Sequence, residues 1–181
     1  ENAFIQFINK TPPIGKCFVC IDNKNIKNIL KKTKNKNILT YGFNKNANYR
    51  ISKVRYKISY STFDLHYKDF KGSKRIIKNI NLKLLGEHNV LNASAAIAIC
   101  LNLGVNIDTI KNSLKNFSGV QRRMTKIFNK NKNEFFDDYA HHPTEIKVVL
   151  DGVNSVYKGY EKICIFQPHR ISRLKDLKKE F

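Results

Sequence analysis

Apolar residues in the first quarter of the chain form short runs separated by polar segments. The run at residues 17–21 ends in Asp22 and predicts a buried parallel strand, and residues 25–34 predict a helix. A second apolar run at residues 38–43 predicts the next strand. The chain is therefore expected to open as a strand-helix-strand alternation, which is typical of an α/β fold.

The next segment changes to an alternation of apolar and polar residues. Residues 49–60, 62–67 and 76–85 show this pattern, and they are joined by Ser61 and by the turn at residues 71–73. Short connections of this kind join antiparallel strands. We therefore expect three antiparallel strands here.

Two helices are predicted to follow. Residues 86–104 start with polar side chains, continue with very small ones and stop at a glycine. Residues 107–117 carry an apolar stripe at helical spacing, and Asn106 can cap their first turn. The stripe is expected to belong to the core.

A break near Gly119 marks a predicted domain boundary, which assigns residues 1–118 and 119–181 to different domains. The pattern beyond it predicts strands at residues 124–128, 134–139 and 163–166, a helix at residues 143–156, and the start of a helix at residues 174–181. The initial Glu1 and this last pattern suggest that the chain is a fragment of a longer protein.

The charge balance changes this picture little. The formal net charge is +20, from 34 Lys and Arg against 14 Asp and Glu, and 27 of the basic residues are Lys. A nucleic-acid-binding module is an alternative that this charge suggests, and it predicts tight, steeply salt-dependent binding. Because the Lys residues are scattered and accompanied by 22 Asn, A/T-rich codon usage explains the excess without such a partner. We expect no nucleic-acid partner.

The cysteines and the apolar runs bear on location. Cys17 and Cys20 lie three apart in a predicted strand, so they point to opposite faces and suit neither zinc nor a disulfide. We expect no metal site, and we expect the thiols to be buried as small apolar groups in a reducing compartment.

No apolar run is long enough to span a membrane. The expected location is cytoplasmic, with no membrane partner.

Polar chemistry is concentrated most tightly at residues 136–145, which read Phe-Asp-Asp-Tyr-Ala-His-His-Pro-Thr-Glu. The segment follows a predicted buried strand and precedes a helix that Pro143 can start. Ligands bind at the carboxyl ends of strands in open α/β sheets. We therefore expect a functional site here.

Two further groups of polar residues resemble parts of a binding site. His169, Arg170 and Arg173 follow the predicted strand at residues 163–166, so they are expected to share one crevice with the first cluster and to bind an anion. Asn89 and Asn92 lie three apart on one helical face beside His88, where paired amides could read a base edge.

Four motifs, in order, resemble those of the Mur ligases of peptidoglycan synthesis. They are Gly-Glu-His-Asn-Val-Leu-Asn-Ala-Ser-Ala-Ala from residue 86, Gly-Val-Gln-Arg-Arg-Met from residue 119, Asp-Asp-Tyr-Ala-His-His-Pro-Thr-Glu from residue 137, and Phe-Gln-Pro-His-Arg-Ile-Ser-Arg from residue 166. Any one alone would be weak evidence, whereas four in the family's order are strong. The last motif favours the member that adds L-alanine over the ligase that recycles murein tripeptide.

The resemblance implies the second half of a P-loop-type central domain with a mainly parallel sheet, followed by part of a Rossmann-like C-terminal domain. It implies an ATP-dependent ligase that joins L-alanine to the carboxylate of UDP-N-acetylmuramic acid through an acyl phosphate, with Mg²⁺ offsetting phosphate charge.

The resemblance also implies the site residues. The nucleotide contacts would be His88, Asn89, Asn92, Arg123 and Asp138. Substrate-binding residues on the amino-acid and acyl-phosphate side would be Tyr139, His141, His169, Arg170 and Arg173, of which His141, His169 and Arg173 would be catalytic.

The chain departs from the family in lacking a Gly-x-x-x-x-Gly-Lys-Ser/Thr phosphate loop. The Mg²⁺ ligands and the UDP-sugar domain would lie before residue 1, so the chain alone is expected to be inactive. A dinucleotide-dependent oxidoreductase is a further alternative, but no Gly-x-Gly-x-x-Gly motif supports it. A folate-type glutamate ligase shares the general fold, and the motif at residues 167–170 argues for the muramic acid substrate instead.

Overall fold

A computed structural model describes all 181 residues as six helices and seven strands. In chain order they are α1 (Asn2–Asn9), β1 (Cys17–Cys20), α2 (Lys24–Lys32), β2 (Ile38–Gly42), β3 (Tyr49–Lys57), β4 (Tyr60–Lys68), β5 (Lys74–Leu82), α3 (Glu87–Asn102), α4 (Ile107–Asn116), β6 (Thr125–Lys130), β7 (Asn133–Asp137), α5 (Pro143–Val156) and α6 (Ile171–Asp176).

The first five strands form one sheet in chain order. Strand β2 pairs in parallel with β1 and with β3, whereas β4 pairs antiparallel with both β3 and β5. The strand-helix-strand opening and the antiparallel segment are therefore confirmed. The α/β fold class predicted from the sequence is confirmed as well.

The main core lies between this sheet and helices α3 and α4. It contains twelve buried side chains, and Phe63, Leu65 and Ile80 are at most 1% exposed. The predicted stripe of α4 contributes Ile110, which is buried. The small residues of α3 allow that helix to pack closely on the strands, since Ala93, Ala98 and Ser94 are all buried. A smaller cluster joins α1, α2 and β1.

Side chains at the helix starts explain where three of the helices begin. The Asn23 side chain accepts a hydrogen bond from the backbone of Asn25 at 2.8 Å, and Asn106 accepts one from Asp108 at 2.7 Å. Pro143 occupies the first position of α5, as predicted. Each device satisfies or removes a backbone donor that has no partner within the helix.

Strands β6 and β7 form a separate antiparallel hairpin. Its two-residue turn, Asn131 and Lys132, has positive φ angles of 52° and 66°. Such angles give a turn whose twist matches that of the paired strands. Tyr157, directly after α5, donates a hydrogen bond to Glu134 at 2.7 Å, which holds the hairpin against the end of that helix.

The expectation that β7 is a buried strand is wrong. The strand has one neighbour only, ends at Asp137 and leaves Phe135 42% exposed, because no sheet covers its second edge. The Phe135 ring stacks on Phe128 across the hairpin, with ring centroids 4.0 Å apart.

The strand predicted at residues 163–166 is absent, and no other segment pairs with these residues. Ile163 is 82% exposed and Ile165 94%, so the apolar run is not buried. An apolar run becomes a strand only where a neighbour accepts its backbone hydrogen bonds. Cys164 is exposed and the other three cysteines are half-buried, contrary to the expectation of buried thiols. The last helix spans Ile171–Asp176 rather than starting at residue 174.

The helices of the structure are all too short or too polar to cross a lipid bilayer.

Gly42 ends β2 in a conformation that a side chain would strain. Its φ is +145°, and an added Cβ would lie 2.5 Å from the carboxylate oxygens of Asp22. Those oxygens accept hydrogen bonds from the backbone of Phe43 and Asn44 at 2.8 and 2.9 Å. Gly42→Ala is therefore expected to lower the free energy of unfolding by about 1–3 kcal/mol, measured by urea denaturation.

A matched control for this substitution is Gly72→Ala. Gly72 also has a positive φ, of +79°, but nothing lies within 4 Å of an added Cβ. The difference between the two variants reports the clash with Asp22 together with the difference in strain between φ of +145° and +79°. Equal destabilisation would show that only backbone strain matters.

Candidate functional site

A cavity of about 620 Å³ lies between helix α3, the end of strand β5, the segment joining α4 to β6, and the start of α5. It is lined by all five residues that were predicted to contact a nucleotide: His88, Asn89, Asn92, Arg123 and Asp138. These residues come from two separate parts of the chain, which the fold brings together.

The wall of this cavity is mainly apolar. Ten of its seventeen lining residues are hydrophobic, among them Leu84, Ala93, Ala96 and Phe117. The small side chains on α3 leave room for a flat group to approach the helix. An apolar wall with a few polar groups is the usual composition of a small-molecule site.

His88 lies at the start of α3 with its ring packed against Gly86. Gly86 has a φ of +90°, and an added Cβ would lie 2.7 Å from His88 Cε1. Burial lowers the pKa of His88, and Arg123 adds to that effect while Asp138 opposes it. The His88 Nδ1 atom is buried without a hydrogen-bond partner. This nitrogen packs against the Gly86 backbone, since an added Cβ at Gly86 would lie 2.8 Å from it.

The two asparagines of α3 differ in what they contact. Asn89 donates a hydrogen bond from Nδ2 to the carbonyl of Leu85 at 2.7 Å, so that part of its amide already has a partner. Asn92 is exposed on the cavity side, and its amide has no hydrogen bond within the protein. The whole side-chain amide of Asn92 is therefore available to a ligand, whereas only part of the Asn89 amide is.

Asp138 holds the segment before β6 against the end of β7. One carboxylate oxygen accepts a hydrogen bond from Met124 N at 2.8 Å, and the other accepts one from Ala140 N at 2.7 Å. A second contact between the same segments runs from Tyr139 N to Arg122 O, at 2.8 Å. Each carboxylate oxygen can accept more than one hydrogen bond, so Asp138 can still bind ligand hydroxyls.

Tyr139 and His141 stand together beyond the hairpin, with ring centroids 4.9 Å apart. Nδ1 of His141 lies 2.9 Å from the carbonyl oxygen of Tyr139, and a carbonyl only accepts, so Nδ1 carries the proton in this arrangement. The other ring nitrogen, Nε2, has no partner in the protein. The guanidinium of Arg122 lies over the Tyr139 ring, 4.8 Å from its centroid, and forms an ion pair with Asp137 at 3.3 Å.

Of the third predicted group, one residue contacts the Tyr139–His141 pair. Arg173 on α6 lies 3.4 Å from the carbonyl oxygen of His141, so it joins the Tyr139–His141 pair. His169 and Arg170 are exposed and contact neither the cavity nor this pair, and Tyr139, His141 and Arg173 lie outside the cavity lining as well. They follow residues 163–166, and because no strand forms there, the expected shared crevice between two adjacent strands is absent.

Glu145 also lines the cavity, although no role was predicted for it. Its Oε2 atom accepts hydrogen bonds from the backbone of His141 at 3.0 Å and of His142 at 3.3 Å. The His142 ring in turn accepts one from Thr144 N, which completes a capping box at the start of α5. The spacing of His142 and Glu145 before an apolar helix is the signal that could have identified it.

The hydrogen bond from the His141 backbone is the main cause that lowers the pKa of Glu145 below its ordinary value of 4.5. A lowered pKa in the folded state means that the charged form stabilises the fold above pH 4.5 and that this stabilisation is lost as the pH falls through the lowered pKa. Glu145→Gln is therefore expected to reduce stability at pH 7 by up to about 1 kcal/mol.

Urea denaturation at pH 7 and pH 3 checks this prediction. The difference between Glu145→Gln and the unchanged protein should shrink at pH 3. Glu161→Gln is the control, because Glu161 is exposed and forms no ion pair. A difference that is the same at both pH values would mean that the charge of Glu145 has no part in capping α5.

The titratable side chains form no group of three or more His, Cys, Asp or Glu that could hold a metal ion. The proposal that Mg²⁺ is held by residues preceding this chain stays a prediction.

Comparison with known proteins places the chain in a family. Residues 1–100 match the family model described as the Mur ligase middle domain. The chain belongs to the Mur ligase family. The resemblance inferred from the four sequence motifs is thereby confirmed.

Individual Mur ligases match the chain over most of its length. UDP-N-acetylmuramate–L-alanine ligase from Pelagibacter ubique is 54% identical over 182 aligned positions, which cover 100% of this chain and 39% of the relative. The structure of UDP-N-acetylmuramate-alanine ligase from Thermotoga maritima is 30% identical, with a TM-score of 0.63 over 77% of this chain and 32% of that protein. MurF from Acinetobacter baumannii gives a TM-score of 0.68 at 25% identity, over 85% and 32% of the two chains.

The chain thus spans about two fifths of the length of the curated Mur ligases that it matches. The division at residue 118 and the roles of single residues stay predictions.

Proposed function

We propose that this chain forms part of an ATP-dependent Mur ligase that joins L-alanine to the carboxylate of UDP-N-acetylmuramic acid. The observation that carries the proposal is the cavity between α3 and the segment after α4, which gathers the five predicted nucleotide contacts. The relatives named as L-alanine ligases, at up to 54% identity over the whole chain, support the choice of substrates.

The cavity fits a nucleotide by its chemistry. The apolar wall on α3 suits the face of an adenine ring, and the free amide of Asn92 can donate to and accept from its edge. His88 lines the cavity and can contact the nucleotide with the rest of its ring, and Asp138 has lone pairs left for ribose hydroxyls. Arg123 supplies positive charge toward the phosphates.

The amino-acid side of the site is proposed around Tyr139, His141 and Arg173. A guanidinium can bind the alanine carboxylate, and the free Nε2 of His141 can accept a proton from the attacking amine. His169 and Arg170 are proposed to contribute to the same side, as substrate-binding residues with His169 also catalytic. ATP would activate the muramic acid carboxylate as an acyl phosphate, and Mg²⁺ would offset the phosphate charge.

The proposed partners are therefore small molecules: ATP, UDP-N-acetylmuramic acid and L-alanine. We propose a cytoplasmic enzyme with neither nucleic acid nor membrane as a partner.

The test is phosphate release from ATP by the full-length protein with UDP-N-acetylmuramic acid and either L-alanine or the tripeptide L-Ala-D-Glu-diaminopimelate. Release with L-alanine is expected. Release only with the tripeptide would make the protein a recycling ligase, and release with neither would overturn the proposal. The 181-residue chain alone is the matched control, and turnover by it would contradict the expectation that it is inactive.

A further inference from the structure

A second cavity, of about 650 Å³, lies at the other end of the central sheet from the candidate site. It is formed by the loop between β2 and β3 and by the paired ends of β3, β4 and β5. The two cavities contact opposite ends of β5, at Ile76 and at Leu82. At about 3.3 Å per residue these ends are about 20 Å apart, so the second cavity is not an extension of the first.

Strand register places basic side chains on one face at this cavity. Arg50 on β3 lies opposite His66 on β4, and Lys68 on β4 lies opposite Lys74 on β5. Residues 66 and 68 are two apart on one strand, so these four side chains share a face of the sheet. Burial lowers the pKa of His66, so the cations of this face are Arg50, Lys68 and Lys74, and Lys45 from the loop adds a fourth.

No carboxylate neutralises these groups. The lining contains no Asp or Glu, and none of Lys45, Arg50, Lys68 and Lys74 forms an ion pair. Arg75 also lines the cavity but is paired with Asp69 at 2.8 Å. Like charges placed directly opposite on neighbouring strands destabilise the sheet. The Lys68–Lys74 pair therefore costs stability that a bound anion would restore.

The overall excess of Lys does not account for this arrangement. Five of the thirteen lining residues are Lys or Arg, whereas the share in the whole chain, 34 of 181, predicts roughly two. The cavity also contains an Arg without an ion pair, Arg50, in a chain that otherwise mostly uses Lys. The planar guanidinium of Arg can form bidentate hydrogen bonds with phosphate oxygens.

The loop that forms one wall is held in place before any ligand arrives. Asn48 accepts hydrogen bonds from both the backbone and the hydroxyl of Thr40, at 2.8 and 2.9 Å. The carboxylate of Asp22 accepts two backbone hydrogen bonds from Phe43 and Asn44 at the loop's other end. A wall fixed in this way loses little entropy on binding.

We propose that this cavity binds a small phosphate-bearing anion of the polyphosphate class, through Arg50, Lys68 and Lys74 with Lys45 from the loop. The inference is independent of the ligase proposal, because no residue of the cavity belongs to the candidate site. It applies whether or not the full-length protein uses L-alanine.

The test is calorimetric titration of the full-length protein with inorganic tripolyphosphate, with and without a saturating non-hydrolysable ATP analogue. The variant that removes the site is Arg50→Gln with Lys74→Gln, since neither side chain forms an ion pair. The control is Lys27→Gln with Lys31→Gln, which removes the same charge from the exposed side of α2. Thermal unfolding shows that each variant is folded.

Binding that persists with the ATP analogue and weakens at least tenfold in Arg50→Gln/Lys74→Gln, but not in the control, is the expected result. Equal weakening in both variants would assign the effect to net charge and overturn the proposal. Absence of binding in the unchanged protein would overturn it too. If the protein binds single-stranded RNA with a steep salt dependence but does not bind tripolyphosphate, the proposal of a small anion is wrong and the ligand is a polymer.

Discussion

Replacing Phe63 by alanine is expected to lower the free energy of unfolding by about 3–5 kcal/mol, the largest stability effect predicted for this protein. Phe63 is 1% exposed on β4, lies opposite Ile80 on β5 and belongs to the main core beneath α3. Truncation removes apolar contact and leaves a cavity that the surrounding sheet can fill only in part. Urea denaturation followed by circular dichroism measures the change.

The matched control is Phe70→Ala, which removes the same atoms at a position 79% exposed. Phe70 has only a distant contact with the Lys16 ammonium, 5.7 Å from the ring centroid, so its loss should change stability by less than about 1 kcal/mol. If both variants lose the same stability, the sheet face beneath α3 is not the main core.

The first part of the fold was predictable because its signals are local. Alternation along β3–β5 indicates which strand faces are buried, and Asn106 marks where α4 begins. Boundaries moved by a few residues, as expected where helix ends fray. Helix α1 precedes the first predicted element, and its packing against α2 depends on contacts between segments.

The failures beyond residue 119 share one physical cause. An apolar run shows that a segment prefers burial, but not that a partner strand lies beside it. Residues 163–166 and β7 both lack a covering sheet, so the first forms no strand and the second stays half exposed. The shared crevice inferred for His169 and Arg170 depended on that missing pairing.

The candidate site was also predictable only in part. The spacing of Asn89 and Asn92 on one helix face was readable from the sequence, and the family resemblance supplied Arg123 and Asp138 from a distant segment. No pattern in the sequence shows that Asp138 bonds to the backbone of Met124, since that contact depends on how the hairpin docks. Sequence reasoning therefore identified the residues better than their contacts.

Asp138→Ala in the full-length protein is expected to raise the KM for ATP at least tenfold, which corresponds to about 1.4 kcal/mol of lost binding. Its carboxylate is proposed to contact the ribose, and it also holds Met124 N and Ala140 N at 2.8 and 2.7 Å. Loss of these two bonds to a charged group loosens the segment that carries Arg123, so ligand contact and site geometry suffer together. Phosphate release at varied ATP concentration measures the effect.

Asp137→Ala is the control, because the neighbouring carboxylate points to Arg122 instead of lining the cavity. It should change the KM for ATP less than twofold.

Thermal unfolding separates the two roles of Asp138. A lower melting temperature with an unchanged KM would leave Asp138 with only its backbone-bonding role and place it outside the nucleotide site. A raised KM with an unchanged melting temperature would instead mean that the ribose contact dominates, since the segment carrying Arg123 would then be held without the carboxylate.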